Sequence, residues 1–176
     1  MEPLKVSFLT RSADKTRELG MSLGRLLRPA DFVALLGDLG AGKTEFARGL
    51  AQGAGVPPEE VASPTFALIH RYQGRIPLVH ADLFRLAGDD ELYGTGYFEL
   101  RDSGEAAVIV EWADLIPSAI AEDAVQVRLA SGRDPEERRL SVTSTGAVSG
   151  ARLAEWRRAA SAFLASAPSG AEEEKG

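Results

Sequence analysis

Apolar positions along the chain fall into two kinds of segment. Residues 32–36 and 106–110 are continuously apolar, which is typical of strands that are buried on both faces of a sheet. The other periodic segments mix apolar and polar positions, as half-buried strands and amphipathic helices do. We predict strands at residues 4–9, 32–36, 66–72, 76–82, 106–110, 123–129 and 138–145, and helices at residues 12–27, 45–52 and 151–165.

Turn and capping signals separate these segments. Ser12 is the expected N-cap of the first helix, and residues 73–75 (QGR) join two strands as a hairpin. Residues 132–135 (GRDP) are predicted to turn between the last two strands. Residues 88–104 are rich in glycine and acids and are expected to be irregular or short-helical. This order predicts an α/β fold, a mixed sheet flanked by helices in a single domain.

A glycine-rich segment connects the apolar strand 32–36 to the next helix. Its sequence, GDLGAGKT, is that of a P-loop, whose backbone N–H groups turn inward around phosphate at a helix N-terminus. Lys43 is expected to reach the β- and γ-phosphates and the Thr44 hydroxyl to bind Mg²⁺. A chance glycine turn is the alternative, but the flanking strand and helix argue against it. The predicted nucleotide-binding residues of the loop are Gly37, Asp38, Leu39, Gly40, Ala41, Gly42, Lys43 and Thr44.

Two carboxylates follow apolar strand segments. Glu111 comes directly after Val108, Ile109 and Val110, and Asp82 ends the segment 76–82. Ligands bind at the carboxyl ends of strands in open α/β sheets, so either acid can serve the Mg²⁺ shell or orient the attacking water. The alternative is an acid that merely ends a strand. The residues alone leave open which carboxylate contacts the metal.

Four further residues have a plain structural interpretation beside a functional one. Thr65, in the segment 63–65, is either a sensor of phosphate or part of an ordinary proline loop. Trp112 alone would be a core aromatic, and His80 a hydrogen-bonded core histidine. Arg133 either faces phosphate or is a surface arginine.

Composition excludes several classes of site. The chain of 176 residues has no cysteine and two histidines, His70 and His80. A disulfide scaffold, a thiolate metal site and a cysteine nucleophile are therefore excluded, and a histidine-rich metal centre is not expected. We find no secretory signal pattern and no apolar run of membrane-spanning length, so a soluble cytoplasmic protein is expected.

The net charge of −6 argues against a dedicated nucleic-acid surface. Arginines gather in two places, at residues 133, 138 and 139 and at residues 152, 157 and 158. We interpret both groups as solvated faces of a strand and a helix, with local contact to RNA as the alternative.

Four short motifs follow one another along the chain: GDLGAGKT at residues 37–44, SPTF at 63–66, HADLFRL at 80–86 and VIVEW at 108–112. In this order they resemble the TsaE family, the ATPase component of bacterial tRNA threonylcarbamoyladenosine synthesis. The resemblance covers residues 12–146. A P-loop is generic, whereas the four-part order is highly specific.

The resemblance implies an ATP- and Mg²⁺-dependent activity. Lys43 and Thr44 would act on ATP and Mg²⁺, Glu111 would be a Mg²⁺ or hydrolysis residue, and Asp82 would also be catalytic. Trp112 would be functionally important as well. The hydrolysis would support repeated rounds of tRNA modification rather than the carbamoyl transfer itself.

Further correspondences extend the implied site, and those of Thr16 and Arg133 are weaker than the four motifs. Thr65 would belong to a nucleotide-sensitive loop, Thr16 would lie near the nucleotide base, and Arg133 would lie near phosphate. The implied partners are TsaD and TsaB, with tRNA reached indirectly through their complex and no membrane involved. Residues 1–146 would form the P-loop ATPase domain, and residues 147–176 a C-terminal helix with a disordered acidic tail.

Two departures from the family pattern stand near the motifs. Phe84 replaces the usual tyrosine, which removes one hydroxyl group. Glu45 replaces the frequent second threonine after the P-loop and is expected on the exposed side of its helix. Neither change removes a phosphate or metal ligand.

Rival functions share the same loop. A small P-loop kinase needs an arginine-bearing lid, and no segment resembles one. A GTPase would carry an Asn-Lys-x-Asp motif, but the chain contains no asparagine. An assembly switch that binds ATP with negligible hydrolysis would use the same residues as the ATPase and differ only in rate.

Overall fold

The computed structural model describes residues 2–61 and 67–165. Within these ranges a seven-stranded mixed sheet is flanked by helices, which confirms the predicted α/β class. The strands are β1 (Lys5–Thr10), β2 (Phe32–Leu36), β3 (Ile69–Gln73), β4 (Pro77–Asp82), β5 (Ala107–Glu111), β6 (Val125–Ser131) and β7 (Arg138–Ser144). The α-helices are α1 (Ala13–Gly24), α2 (Lys43–Gly53), α3 (Asp89–Tyr93), α4 (Tyr97–Asp102) and α5 (Ala147–Ala159). Short 3₁₀ turns cover Pro58–Glu60, Ala113–Leu115, Pro117–Ala119 and Ser161–Phe163.

The strand order places the predicted phosphate-binding strand in the middle of the sheet. Across the sheet the order is β1-β7-β6-β2-β5-β4-β3. The four inner strands β6, β2, β5 and β4 are parallel, while β1, β7 and β3 pair in antiparallel fashion toward the edges. The carboxyl ends of β2, β5 and β4 therefore meet at one edge, where α/β sheets bind ligands.

Strand β2 is buried on both faces, as its continuous apolar sequence predicts. Its five residues are all buried. Val33 and Leu35 pack into the cluster beneath α1, α2 and α5, whereas Ala34 and Leu36 pack on the opposite face with Leu92 and other residues. The strand is thereby fixed between two cores, and so is the start of the loop that follows it.

The backbones of helices α1 and α2 are in contact, because each helix has glycines at the positions that face the other. A Cβ atom on Gly20 would lie 2.4 Å from the Phe46 carbonyl oxygen, and one on Gly24 would lie 2.2 Å from that of Leu50. From the other side, a Cβ atom on Gly49 would lie 2.1 Å from the Arg17 carbonyl oxygen. Only glycine permits this approach, because real Cβ atoms do not come so close to backbone.

The ends of α1 show one confirmed prediction and one difference. The Ser12 hydroxyl accepts a 3.1 Å hydrogen bond from the Lys15 N–H, so Ser12 is the N-cap as predicted. The helix ends at Gly24 rather than at residue 27. The Arg75 guanidinium donates to the carbonyl oxygens of Gly24 and Leu27, at 3.1 and 2.9 Å, and so satisfies carbonyls beyond the last helical turn.

The last helix begins four residues earlier than predicted and ends at Ala159 rather than at residue 165. The Asp123 carboxylate accepts hydrogen bonds from the N–H groups of Val148 and Ser149, at 2.9 and 2.8 Å. A carboxylate at this position satisfies free donors and complements the helix dipole. Asp123 is distant in sequence, so the local pattern gave no sign of the earlier start.

Arg152 corrects the interpretation of the C-terminal arginines as a solvated face. Its side chain is buried, and its Nε donates to Asp31 at 2.7 Å. Arg157 and Arg158, on the same helix, are exposed as expected. Only these two arginines of the trio are therefore presented to solvent.

In residues 2–61 and 67–165, none of the helices combines the length and apolar character needed to cross a lipid bilayer.

Substitution of Gly49 by alanine tests the contact between α1 and α2. Alanine gains about 1 kcal/mol in helix propensity, but the clash with the Arg17 carbonyl forces the helices apart, and overpacking typically costs about 1–3 kcal/mol. Because the clash is with backbone rather than with a flexible side chain, the cost lies in the upper part of this range, and we expect Gly49→Ala to lower the free energy of unfolding by about 1–2 kcal/mol after the propensity gain, measured by urea denaturation.

Gly94→Ala is the matched control. A Cβ atom there would lie 3.6 Å from the Glu91 carbonyl oxygen, an ordinary contact, so its stability should stay within about 0.5 kcal/mol of wild type. A Gly49→Ala protein as stable as the control would contradict the backbone contact.

Candidate functional site

The segment 37–44 leaves the carboxyl end of β2 and enters α2, as the P-loop prediction requires. Gly37 has a φ of 136°, and a Cβ atom there would lie 2.3 Å from the Leu129 carbonyl oxygen. Gly42 has a φ of 100° and directly precedes the first residue of α2. Both positions require glycine, and together they turn the loop so that it wraps the N-terminus of a helix, a natural anion site.

Lys43 is the buried cation of this loop, with 4% of its surface exposed. Its Nζ donates to the carbonyl oxygens of Gly37 at 2.5 Å and of Asp38 at 2.8 Å. The ammonium also lies 3.6 Å from the centre of the Trp112 ring, a cation–π contact. Burial lowers the pKa of Lys43, and nearby carboxylates, that of Asp114 foremost, oppose this shift.

Glu111 lies at the carboxyl end of β5 and has a partner for each carboxylate oxygen. The Thr44 hydroxyl donates to Oε1 at 3.2 Å, and the ring nitrogen Nε2 of His80 lies 2.6 Å from Oε2. Glu111 and His80 are only 1% and 3% exposed. His80 is therefore the hydrogen-bonded buried histidine that its sequence predicts, and its partner is the candidate metal ligand.

Asp82 lies beside Glu111, because the two residues are register partners across the parallel pair β4–β5. Its Oδ1 accepts a 2.9 Å hydrogen bond from the Phe84 N–H. Burial raises the pKa of Asp82; the Phe84 N–H opposes this and the Glu111 charge adds to it. Both predicted acids thus stand at the same edge of the sheet, but in the described residues it is Glu111 that contacts Thr44.

Trp112 is partly buried and packs against the edge of a core cluster, so it is not enclosed in the core. Its backbone is left-handed, with a φ of 59°, which is unusual for a bulky residue and common at functional sites. The centre of its ring lies 4.8 Å from the centre of the Phe84 ring, and the same ring covers the Lys43 ammonium group. Phe84 itself is 53% exposed.

A cavity of about 430 Å³ opens above the loop, a size suited to a small-molecule ligand. Thr16 from α1 lies in its wall and is fixed by a 2.7 Å hydrogen bond between its hydroxyl and that of Thr10. The lining residues are Ala13, Thr16, Leu39, Gly40, Gly42, Lys43, Thr44, Glu45, Trp112, Pro135, Glu136 and Arg138.

Arg138, which the sequence predicted only as part of a solvated face, is half-buried and is the arginine in this cavity wall. Its aliphatic stem lies beside Gly42. A Cβ atom added to Gly42 would meet that stem at an ordinary van der Waals distance. Its guanidinium donates to the Pro135 and Glu137 carbonyl oxygens at 2.7 and 2.9 Å. Arg133 is exposed and does not line the cavity. No local signal distinguishes the two arginines, because the antiparallel pairing of β7 with β6 and β1 determines which one faces the loop.

Glu45 corrects the expectation that it lies on the exposed side of its helix. It lines the cavity, accepts two hydrogen bonds from Arg17 at 3.0 and 2.7 Å, and pairs with Arg48 at 2.7 Å. Burial alone would raise the pKa of Glu45, but the two arginines outweigh it and lower that pKa. The residue therefore joins α1 to the start of α2.

The predicted switch residue Thr65, with the rest of the SPTF motif, lies outside the described residues. Its role stays a prediction. The same holds for the acidic tail beyond residue 165.

The donors at this edge suit Mg²⁺ held jointly with phosphate. In residues 2–61 and 67–165 no group of three or more His, Asp or Glu side chains is placed to hold a metal by itself. Thr44 and Glu111 supply one hydroxyl and one carboxylate within 3.2 Å of each other. Mg²⁺ is commonly bound by one or two such side chains together with substrate phosphates, so the residues present fit this ion.

Comparison with known proteins settles the family. Residues 10–140 match the model of the family described as threonylcarbamoyl adenosine biosynthesis protein TsaE. The chain belongs to the TsaE family. The match confirms the resemblance carried by the four motifs, and it spans every cavity-lining residue named above.

Individual TsaE relatives agree with this assignment. Two proteins named tRNA threonylcarbamoyladenosine biosynthesis protein TsaE are similar to the chain. That of Treponema pallidum is 40% identical over 121 residues, covering 69% of this chain and 88% of its own length. That of Bacillus subtilis is 33% identical over 144 residues, covering 81% and 87%. The crystal structure of Bacillus subtilis YdiB superposes with a TM-score of 0.72 at 28% identity, over 90% of this chain and 97% of YdiB.

Alanine variants of Arg138 and Arg133 compare the contributions of these two arginines to ATP binding. Because Arg138 lines the predicted nucleotide site, we expect Arg138→Ala to weaken ATP binding about tenfold, the effect of one lost hydrogen bond to a charged group. Arg133→Ala should change the dissociation constant less than about twofold. Isothermal titration of each variant with ATP measures both. A larger effect at Arg133 would favour that residue as the phosphate contact.

Proposed function

We propose that this TsaE protein is a Mg²⁺-dependent ATPase that serves tRNA threonylcarbamoyladenosine biosynthesis by acting on a complex of TsaB and TsaD. The observation that carries the proposal is that Lys43 and Thr44 line one cavity and that the Thr44 hydroxyl contacts the buried Glu111 carboxylate directly behind it. The family description supports the pathway. The chemistry of the three side chains supports ATP hydrolysis.

The loop and Lys43 would bind the phosphates. Backbone N–H groups at the start of α2 and its dipole favour an anion at this position. Lys43 would exchange its contacts with the Gly37 and Asp38 carbonyl oxygens for phosphate oxygens. Arg138 and Thr16, which also line the cavity, would hold other parts of the nucleotide.

Glu111 and Thr44 would prepare the reactive end of the site. Together they would hold Mg²⁺, which supplies charge neutralisation at the phosphate oxygens when bound. Glu111 or its neighbour Asp82 would orient the attacking water. Phosphoryl transfer depends on positioning and electrostatics more than on covalent chemistry by the protein, and the buried Glu111 and half-buried Asp82 at one sheet edge would supply both.

Exposed apolar side chains beside the cavity support a protein partner there. Leu39 is 82% exposed and lines the cavity, and Phe84 packs on Trp112, which also lines it. Leu115, three residues after Trp112, is half exposed as well. Exposed apolar groups around a polar site are typical of docking surfaces. We propose that TsaB–TsaD binds on this side and that tRNA is reached through that complex.

ATP hydrolysis with and without the partners tests this proposal. We expect slow turnover by the chain alone and faster turnover when TsaB and TsaD are added. Lys43→Ala should abolish productive ATP binding, because the buried cation that faces phosphate is lost. Phosphate release and nucleotide titration are the measurements.

Glu111→Ala separates catalysis from binding. It should lower the hydrolysis rate by about 10²-fold or more while ATP still binds. Glu105→Ala is its control, since Glu105 is an exposed glutamate just before the opposite end of β5. ATP binding without hydrolysis in the presence of both partners would instead identify an assembly switch.

A further inference from the structure

We infer that His80 is a positioning residue for Glu111 and holds its carboxylate so that Oε1 faces the Thr44 hydroxyl. The inference deepens the proposed ATPase function and rests on it. It follows from the contacts of three side chains on β4, β5 and α2.

The register of the sheet brings His80 to Glu111. In the parallel pair β4–β5, His80 is opposite Ile109 and Asp82 is opposite Glu111. Residues two apart on a strand point to the same face, so His80, Asp82 and Glu111 share one face of the sheet. The Nε2–Oε2 distance of 2.6 Å is that of a short, charge-assisted hydrogen bond.

Glu111 needs this partner because it is almost fully buried. A buried carboxylate is costly unless hydrogen bonds or charges compensate it. Thr44 compensates Oε1 and His80 compensates Oε2. With both oxygens held, rotation of the carboxylate about its last bond would break two hydrogen bonds at once.

A role in packing alone would not explain why position 80 is a histidine, whose second ring nitrogen is left without a partner. In the part of the chain that the structure describes, Nδ1 is buried and has no hydrogen-bond partner. An unpartnered buried polar atom costs about 1–3 kcal/mol. Leucine would fill similar space without this cost, so the benefit of histidine here lies in the hydrogen bond that Nε2 donates to Glu111.

The arrangement corresponds to a known principle of metal sites. Residues that orient a ligating side chain commonly change metal affinity or activity by about 10–100-fold when they are replaced. His80 does not line the cavity, and its hydrogen bond runs to Glu111, which in turn contacts the lining residue Thr44. Its effect on the reaction would therefore pass through Glu111.

Two variants of His80 test the inference. His80→Leu keeps the volume and removes the donor, whereas His80→Gln keeps an amide N–H donor. With TsaB and TsaD present, we expect His80→Leu to lower kcat for ATP by about 10–100-fold with KM changed less than about threefold. We expect His80→Gln to recover most of the rate.

A second measurement does not depend on activity. Crystal structures of the full chain should show the contact between Thr44 Oγ1 and Glu111 Oε1 lost in His80→Leu and kept in His80→Gln. His70→Ala is the control, because His70 pairs with His80 from β3, on the side of β4 away from β5. It should leave both the rate and the contact unchanged. If His80→Leu does not fold, His80→Ala takes its place.

The outcomes separate the two proposals. Unchanged kcat and an intact Thr44–Glu111 contact in the donor-free variant would overturn the role of His80 and leave the ATPase proposal standing. A wild-type chain that does not hydrolyse ATP with its partners would overturn the ATPase proposal, and the crystallographic contact would still decide whether His80 orients Glu111.

Discussion

The place of the proposed phosphate-binding loop depends on how closely α1 approaches α2. Glycines on both helices allow backbone to touch backbone, which leaves no room for the helices to slide or separate. This contact fixes the first turn of α2, which carries Lys43 and Thr44. It also brings Thr16 and Arg17 to the cavity wall and to Glu45. A packing constraint far from the reacting atoms therefore determines the shape of the site.

Burial strengthens the electrostatic interactions of the polar side chains at the sheet edge. Lys43 and Glu111 are charged groups that are almost removed from water, where each would be costly without partners. Each has them: loop carbonyls and an indole ring for the lysine, a hydroxyl and an imidazole for the glutamate. In the proposed ATPase reaction, such groups would lie ready in position and need little rearrangement to act on developing charge.

The sequence predicted what depends on local pattern and missed what depends on distant contacts. The apolar runs gave β2 and β5, and the glycine spacing gave the loop between β2 and α2. The start of α5 was missed because its cap, Asp123, comes from before β6. The burial of Arg152 was missed for the same reason, since its partner Asp31 precedes β2. Arg138 faces the loop only because of how the edge strands pair, which no window of sequence reveals.

The contacts of Trp156 have a consequence for the order in which the parts of this protein fold. Its indole packs on Phe8 of β1 and Phe46 of α2, with ring centres 4.5 and 5.9 Å away, and donates to Ser22. Strand β1 likewise pairs with β7, and its Phe8 forms an isolated bridge with Leu164. During synthesis the first strand can complete its packing only once residues 138–156 have been made. Helix α2, which begins with the proposed phosphate-binding residues, gains its contact with Trp156 at the same late stage.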